Sequence, residues 1–420
     1  MTLSLGDPRM QPGRDLLAAG RALAATWQVG PCPFLRDKAV ASEADYKRQA
    51  MASGRVMTHA QIGFRDQAKS RRAYAEIWEA TARAGAAVDR YGLCCDWAMG
   101  YPRALRERYP KGTGMMLQGP EDFVALSHSA PVAPHFGDFI MGFPAAVENT
   151  QHALAAGATA IGNLGQYFTF RLPHWDDDVA ATEATVVALG LIAAQPVEVL
   201  GHSNLDDGFA ALYSDVACAL GQVLLERRIV GELVGAPLAH CYGHHFSDPV
   251  ARLAFQRALA RDNPVPGSMV YGNTVAYRGN AAENFASLAA YLSVDIVGQR
   301  LLPSGHAVNA VPVTENERIP DIDEVIEAQL FARRLIERGE GLPPLIDGAA
   351  ADRVADTLLE GGQRFRDRVL AGLGQEGVDT ADPAALLLAL RRLGAKALEE
   401  RFGPGSVAAV PLAQRTRARP

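Results

Sequence analysis

Short apolar runs rich in β-branched and aromatic residues alternate with helical stretches eight times between Arg55 and Thr314. Within the helical stretches apolar residues recur every three or four positions, as at Leu212, Val216 and Leu220, which is the spacing of one face of an α-helix. Strands that alternate with helices pair in parallel through right-handed crossovers, and eight such units close into a ring. The pattern therefore predicts an α/β fold, a (β/α)8 TIM barrel.

The eight apolar runs also set the predicted domain limits. The runs begin at Val56, Ala86, His135, Thr159, Val197, Leu238, Ser268 and Val294. After the predicted last barrel helix, Ile322 to Arg338, the glycines and prolines of GEGLPPL end the periodicity. We therefore expect an N-terminal arm over 1–54, the barrel over 55–340 and a helical C-terminal subdomain over 341–420.

Barrels of this kind bind their substrates where the strands end and the following loops begin. Because the strands can be placed, the polar residues that follow them can be assigned to that face. The residues so assigned are Gln61, Asp96, Gln166, His202, Asn204, His244, Asn273 and His306. Polar residues after strands also cap helices and hydrogen-bond turns, so each of them has a structural alternative.

Composition narrows the function classes. The net charge is −6 and no long basic run occurs, which argues against nucleic acid as a partner. Five cysteines without a C-x-x-C pair are typical of reduced thiols in a cytoplasmic protein. No stretch approaches the roughly 20 apolar residues that a membrane-spanning helix needs, so we expect a cytoplasmic protein that does not enter a membrane.

Several common catalytic motifs are missing. HCYGHH at 240–245 is the densest histidine group, but metal-dependent barrel enzymes place an H-x-H pair at an early strand, where this chain has only His59. We therefore expect no metal site. The sequence has no G-x-G-x-x-G, Walker or G-x-S-x-G motif and no lysine at a predicted strand end, which argues against nucleotide, serine-hydrolase and Schiff-base chemistry.

Five segments stand out in order along the chain: THAQIGF, the GFP of 142–144, SNLDDG with Tyr213 after it, VYGNTVAYRGNAAEN and GHAVNAVPVTENERIPDIDEVIEAQ. In this order they resemble the large (epsilon) subunit of the adenosylcobalamin-dependent glutamate mutase (methylaspartate mutase) family. The similarity covers most of residues 55–337. It implies a radical carbon-skeleton rearrangement inside a barrel whose mouth is covered by adenosylcobalamin, because a primary radical must be kept from water.

The resemblance also implies roles for particular residues and for a partner. It gives catalytic roles to Asp206, Asp207 and Tyr213, with an aspartate of this pair near the substrate amine. Their position at the strand ends makes Gln61, Asp96, Gln166, His202, Asn204 and His244 the expected substrate contacts. The resemblance gives cofactor contacts to Gly142, Phe143, Asn273, His306 and Asn309. The family holds cobalt through a D-x-H-x-x-G motif on a small subunit, and this sequence lacks the motif, so the cofactor is expected to be shared with such a partner.

The chain departs from the family where glutamate would bind. Family members hold the two carboxylates with arginines at three early strand ends, since a guanidinium matches a carboxylate in charge and geometry. The first position here is Ile62, and the next arginines are Arg103 and Arg171, beyond the second and fourth strands. The family's lysine near the adenosyl ribose is replaced by Pro303 or Ser304. We therefore predict a small amino acid or related acid other than glutamate as substrate.

Two alternatives remain open from the sequence. One is a barrel lyase or hydrolase, metal-dependent or metal-free, that uses the histidines. The other is a non-catalytic barrel subunit, since the arginines and the lysine are missing. The sequence also leaves open whether the chain forms a homodimer.

Overall fold

The computed structural model describes residues 4–405. Eight strands lie in its centre, and their bounds are β1 Thr58–Ile62, β2 Arg90–Leu93, β3 Ala133–His135, β4 Ala160–Gly162, β5 Leu200–Asn204, β6 Leu238–Cys241, β7 Met269–Val270 and β8 Ala307–Asn309. The helices before and among the strands are α1 Gly13–Leu23, α2 Pro33–Lys38, α3 Glu43–Ala52, α4 Gln67–Arg83, α5 Pro120–Ser127, α6 Ala146–Ala155, α7 Leu164–Thr169, α8 Asp178–Ala193, α9 Val216–Arg227, α10 Pro249–Asp262 and α11 Ala281–Leu301. Those after the last strand are α12 Ile322–Arg338, α13 Gly348–Gln375 and α14 Pro383–Phe402.

The strands form a closed parallel ring. Five of them pair in the order β3-β2-β1-β8-β7, and the other three pair as β4-β5-β6. Parallel bridges join the two groups at both seams, Phe136 with Ile161 and Tyr242 with Val270. Because β1 also pairs with β8, no edge is left open, and the predicted (β/α)8 barrel is the observed architecture.

Two strand predictions need correction. The third strand begins at Ala133, ahead of the run from His135, so that the residues after His135 form a loop. The eighth run was placed too early, because Val294 to Leu301 belong to α11 and only Ala307–Asn309 form the strand. α11 starts at a capping box formed by Asn280. The helix then continues through Val294 to Leu301, which the sequence pattern predicts as part of a strand.

Helices from both ends of the chain pack on the barrel. α1 lies against α8, where Gly20 approaches so closely that a β-carbon would stand 2.1 Å from the carbonyl oxygen of Val187. α13 packs on α9 and α10, with the Phe365 ring against Gly221. Residues 1–3 of the predicted arm and 406–420 of the predicted C-terminal subdomain lie outside the described residues.

α3 lies at the amino ends of the strands. The ammonium of Lys47 donates to the carbonyl oxygens of Ser268 and Gly305, at 2.8 and 2.7 Å. Ser268 directly precedes β7, and Gly305 is separated from β8 only by His306. The opposite end of the ring, where the strands stop, carries the loops that shape the main cavity. Among the residues that the structure describes, no helix combines the length and the apolar character needed to cross a membrane.

Candidate active site at the barrel mouth

A cavity of about 270 Å³ lies at the carboxyl ends of the strands. Seven of the eight strands, or the loops that follow them, contribute to its wall. The lining residues are Gln61, Leu93, Cys94, His135, Gly137, Asp138, His202, Asn204, Asp206, Asp207, His244, Met269, Tyr271 and Glu315. We call this space the first chamber. Its lining includes four carboxyl side chains and no lysine or arginine.

A second chamber of about 210 Å³ adjoins the first and shares four wall residues with it. Its other walls come mainly from the end of β8 and the loop before α12, including Val311, Pro312 and Ile319. Asn309 lines this chamber, and both polar atoms of its amide are buried without a partner among the described residues. A buried amide in this state is a ready binding group for a ligand or an ordered water.

Asp206 fixes the loop that follows β6. Its carboxylate accepts hydrogen bonds from the backbone N–H groups of His244 and His245, at 2.8 and 3.2 Å, and pairs with Nδ1 of His245 at 3.2 Å. Burial raises the pKa of Asp206, but the hydrogen bond and charge of His245 outweigh burial, and the net pKa lies below the ordinary value. Asp206 is therefore ionised at neutral pH.

Asp138 and Asp207 are two carboxyl groups of the wall with raised pKa values. Asp207 keeps contact with water through the chamber, and it accepts a hydrogen bond from the Asn204 amide at 2.6 Å. Desolvation by the surrounding protein and the charge of Asp206 raise the pKa of Asp207 to about 6. Desolvation and the charge of Asp207 raise the pKa of Asp138 well above its ordinary value. Asp207 can therefore take up and release a proton near neutral pH, whereas Asp138 favours its protonated form.

The histidines in the wall are neutral at physiological pH. Burial lowers the pKa of His135, His202 and His244, and the nearby Arg90 lowers the first two further. The rings of His135 and His202 meet edge to face, with centroids 4.3 Å apart. Within the described part of the chain, no three His, Cys, Asp or Glu side chains are grouped to hold a metal ion. The neutral imidazoles leave the carboxylates as the dominant charges in the chamber.

A threonine hydroxyl connects two other groups of the wall. Thr274 Oγ1 lies 2.7 Å from Nδ1 of His244. The same side chain hydrogen-bonds Glu315, whose pKa is nonetheless raised because burial dominates. Since a hydroxyl both donates and accepts, Thr274 can bond to both Glu315 and His244 at once and fix their positions in the wall.

Six of the sequence-predicted residues meet in the first chamber. They are Gln61, His202, Asn204, Asp206, Asp207 and His244. Asn309 lines the second chamber. The other seven predicted residues line neither chamber, and each is held elsewhere by a contact that accounts for its presence.

Two of the predicted substrate residues support loops instead. Asp96 accepts hydrogen bonds from the backbone N–H groups of Ala98 and Gly112, at 2.9 and 3.0 Å, and so caps the turn after β2. Gln166 accepts from the N–H of Phe139 at 2.9 Å. Phe139 has a φ of +57°, which a bulky residue rarely adopts, so the Gln166 contact stabilises the loop that carries Asp138.

Tyr213, predicted as catalytic, is a structural residue. It is buried, its hydroxyl donates to Gln222 at 3.0 Å, and its ring packs against Phe365 of α13. The loop after β5 turns this side chain toward the outer helices, whereas Tyr271 supplies the tyrosine of the cavity wall.

The cofactor predictions at four positions also need correction. Gly142 and Phe143 are enclosed by neighbouring segments of the chain: Gly142, with a φ of +89°, lies against Tyr167, and Phe143 is buried against Tyr101 and Leu172. Asn273 pairs with Ser247 at 2.9 Å. His306 precedes β8, so it lies at the opposite end of the barrel, with Nδ1 2.8 Å from Ser304 Oγ.

Five polar wall residues were not predicted: Cys94, His135, Asp138, Tyr271 and Glu315. Asp138 was missed because the third strand was started at His135, which placed the aspartate inside the strand. Tyr271 directly follows β7, so correct strand limits would have brought Asp138 and Tyr271 to the strand ends. Glu315 lies well beyond the end of β8 at Asn309, and only the path of that loop brings it to the cavity. Desolvation and the charge of Asp138 raise the pKa of Cys94 to about 12, so its thiol is neutral.

Replacing Tyr213 with Phe tests its structural role. The change removes one buried hydrogen bond and leaves Gln222 short of a partner, so we expect the free energy of unfolding to fall by about 1–2 kcal/mol. Ligand binding in the first chamber should be unchanged. Urea unfolding and ligand titration of the same variant check both parts, and a loss of binding at unchanged stability would return Tyr213 to the site.

The raised pKa of Asp207 should make stability depend on pH in a defined direction. Because the pKa of Asp207 is raised from 3.8 to about 6, the folded state binds the proton more tightly than the unfolded state, and stability falls as pH rises through this window. Asparagine does not ionise, so the Asp207→Asn variant does not lose stability as pH rises through this window. We expect the variant to be more stable than the wild type by about 1 kcal/mol at pH 8, since solvent contact reduces the effect, and to match it near pH 4. Thermal unfolding at both pH values measures the difference.

No family model matches this chain, and no curated protein matches it in sequence. Among solved structures, a crystal structure of a "putative phosphonomutase" from Burkholderia cenocepacia J2315 aligns with 71% of this chain and 100% of its own chain. The identity is 16% and the TM-score is 0.35. At this level the likeness carries no functional conclusion, and the function is argued from the cavity of the chain itself.

Proposed function

We propose that this chain is the catalytic barrel of a carbon-skeleton mutase whose substrate is a small amine-bearing acid other than glutamate. The observation that carries the proposal is the charge of the first chamber: four carboxyl groups and no lysine or arginine in the wall. The segments that resemble glutamate mutase supply much of this wall, including Gln61, Asp206 and Glu315.

A substrate ammonium group complements this wall. Asp206 is ionised, and Asp207 is largely ionised at pH 7 because its pKa is about 6. The imidazoles of His202 and His244 are neutral. His245 already pairs with Asp206, so Asp207 is the carboxylate that is more open to the ammonium group. A charge-assisted hydrogen bond in a partly desolvated site contributes about 1.5–3 kcal/mol, which is enough to select an amine.

A dicarboxylate has no cationic counterpart in the first chamber. Arg90 lies below it and is bound to Glu43 and His59. Arg318 borders the second chamber, but both of its terminal nitrogens donate to Glu324. The second carboxylate of glutamate would therefore face the acidic wall without a guanidinium, which supports the expectation of a different substrate.

The residues present fit adenosylcobalamin in part. The second chamber, with apolar walls and the unpartnered amide of Asn309, suits a nucleoside such as the adenosyl group. Gly142, Phe143 and His306 lie away from both chambers, so the cofactor contacts assigned to them do not fit. When bound, the group would supply a carbon-centred radical, and the corrin would be held mainly by the D-x-H-x-x-G partner subunit that the resemblance implies.

The chain's own residues then bind the substrate and handle its protons. Asp206 and Asp207 orient the ammonium, and Asp138, whose pKa is raised well above its ordinary value, holds a proton that can be exchanged with a neighbouring heteroatom of the substrate. The same carboxyl groups favour a second candidate, a metal-free lyase that removes a proton next to a carbonyl group. The two candidates differ in their need for a corrinoid partner.

Cobalamin spectroscopy tests the mutase assignment. The chain is co-expressed with a D-x-H-x-x-G subunit from the same organism, loaded with adenosylcobalamin and mixed separately with L-ornithine, L-glutamine and L-glutamate. We expect the paramagnetic cob(II)alamin signal with L-ornithine, which carries a second amine, and none with L-glutamate, because substrate binding drives cobalt–carbon cleavage. A signal with L-glutamate would contradict the substrate assignment. Failure of the complex to bind any corrinoid would contradict the mutase and favour the lyase or the non-catalytic subunit.

A further inference from the structure

A chain of hydrogen bonds runs inside the barrel from the amino ends of the strands to the first chamber. Glu43 Oε1 accepts from Arg90 Nε at 2.8 Å, and an Arg90 terminal nitrogen lies 3.2 Å from His59 Nδ1. His59 Nε2 lies 3.0 Å from Gln61 Oε1. Gln61 Nε2 donates to Cys94 Sγ at 3.2 Å, and both of these last residues line the chamber.

The chemistry of arginine sets the direction of every bond in this chain. A guanidinium has donors only, so His59 Nδ1 must accept the hydrogen bond from Arg90. The proton of the neutral ring is then on Nε2, which donates to Gln61 Oε1. With its oxygen engaged, the amide of Gln61 can turn only its NH₂ group toward the chamber. The orientation of an amide side chain is therefore determined by a residue on the next strand.

The chain is rigid because it is buried and tightly enclosed. Glu43, Arg90 and His59 are each at most 2% exposed. Gly92 leaves no room for movement beside it, since a β-carbon there would stand 2.3 Å from Gln61 Oε1 and 2.8 Å from His59 Nε2.

The ionisable groups around His59 keep its ring neutral. Arg90 contacts Nδ1, and Lys47 of α3 adds a second positive charge from the amino end of the barrel. No carboxylate within the described residues contacts the ring, because Glu43 bonds to Arg90 and Lys47 instead. Burial and these two charges all lower the pKa of His59.

We infer that Arg90 and His59 are positioning residues that present the Gln61 NH₂ group to the first chamber as a dedicated donor for an oxygen atom of the substrate. Among the described residues, Gln61 Nε2 donates only to the neutral thiol of Cys94, a weak acceptor, so a second N–H is left for a ligand. The inference rests on the proposed function and refines it. The ammonium binds the carboxylates, and a carboxylate or carbonyl oxygen of the same molecule binds Gln61.

The tautomer of His59 is measurable without any substrate. Histidine-labelled full-length protein is studied by ¹⁵N NMR between pH 6 and 8, and the His59 signals are assigned by their loss in His59→Gln. We expect one neutral ring protonated at Nε2 over the whole range. A ring protonated at Nδ1, or one that becomes doubly protonated in this range, would overturn the inference.

Binding of two matched amines tests the role of the donor. L-ornithine and putrescine share a four-carbon diamine skeleton, but only L-ornithine carries a carboxylate. Gln61→Glu keeps an acceptor for His59 Nε2 and replaces the NH₂ donor with an anionic oxygen. We expect this variant to bind L-ornithine at least tenfold more weakly than the wild type and putrescine at least as well.

Equal losses for both amines would show that Gln61 has no role specific to the carboxylate and would overturn the inference. If the wild type binds neither amine, the proposed preference for an amine fails instead. The NMR measurement then still decides whether Arg90 and His59 orient Gln61, so the two failures remain distinguishable.

Discussion

Replacing Glu43 with Gln is expected to lower the free energy of unfolding by about 3–5 kcal/mol, because it leaves buried charges without their counter-ion. Glu43 is bonded to Arg90 at 2.8 Å and lies 3.5 Å from Lys47, and all three side chains are at most 2% exposed. The variant therefore encloses two cations in the base of the barrel. Urea unfolding at pH 7 measures the loss.

The pH dependence of this loss identifies its electrostatic origin. Burial already lowers the pKa of Lys47 to about 8, and removal of Glu43 should lower it further. As pH rises from 7 to 9, Lys47 can release its proton in the folded state, so the destabilisation of Glu43→Gln should shrink. The double variant Glu43→Gln/Lys47→Met removes one charge of each sign and should recover part of the stability. A loss that is unchanged by pH and by the second substitution would indicate a packing effect.

Asp207→Asn is expected to weaken binding of L-ornithine by about 10- to 100-fold at pH 8, because it removes an anionic partner of the ammonium group. The same substitution stabilises the folded chain at that pH, so the loss of affinity cannot result from unfolding. Asp323→Asn is the matched control, since it makes the same charge change on an exposed residue of α12 outside both chambers. Calorimetric titration of both variants gives the comparison. Equal affinities for the two variants would remove Asp207 from the site.

The barrel could be predicted from sequence because its signal is repeated. Eight apolar runs separated by helical periodicity determine the number of strands, and strand number with parallel pairing determines closure. The short strands were harder to delimit. β7 has only two residues, and the apolar period of α11 runs on toward β8, so a strand and the end of a helix looked alike.

The site was predicted in part because the strand-end criterion uses only the positions of strands. It found Gln61 near the end of β1, Asn204 at the end of β5 and His244 after β6, whereas Asp206 and Asp207 came from the resemblance. The criterion could not distinguish a residue that faces the cavity from one that bonds to its own loop, as Asp96 does. Whether a side chain faces the cavity or its own loop depends on the path of that loop, and residue types alone do not determine this path.

The chain of hydrogen bonds from Glu43 through Arg90 to Gln61 could not be predicted from the sequence. Glu43 and Lys47 precede the barrel in sequence, in the segment predicted as the N-terminal arm. Only the packing of α3 against the amino ends of β7 and β8 brings them to Arg90. Long-range contacts of this kind carry no local signal in the sequence.

Calorimetric titration of the wild-type chain with L-ornithine, L-glutamine and L-glutamate is the most direct test of the central claim that the first chamber is an acidic site for an amine-bearing substrate. The three probes have similar length and differ mainly in the charge of the side-chain terminus. The account predicts that affinity falls in the order L-ornithine, L-glutamine, L-glutamate, with at least a tenfold difference between the first and the last. Binding of L-glutamate as tight as that of L-ornithine, or tighter, would contradict it.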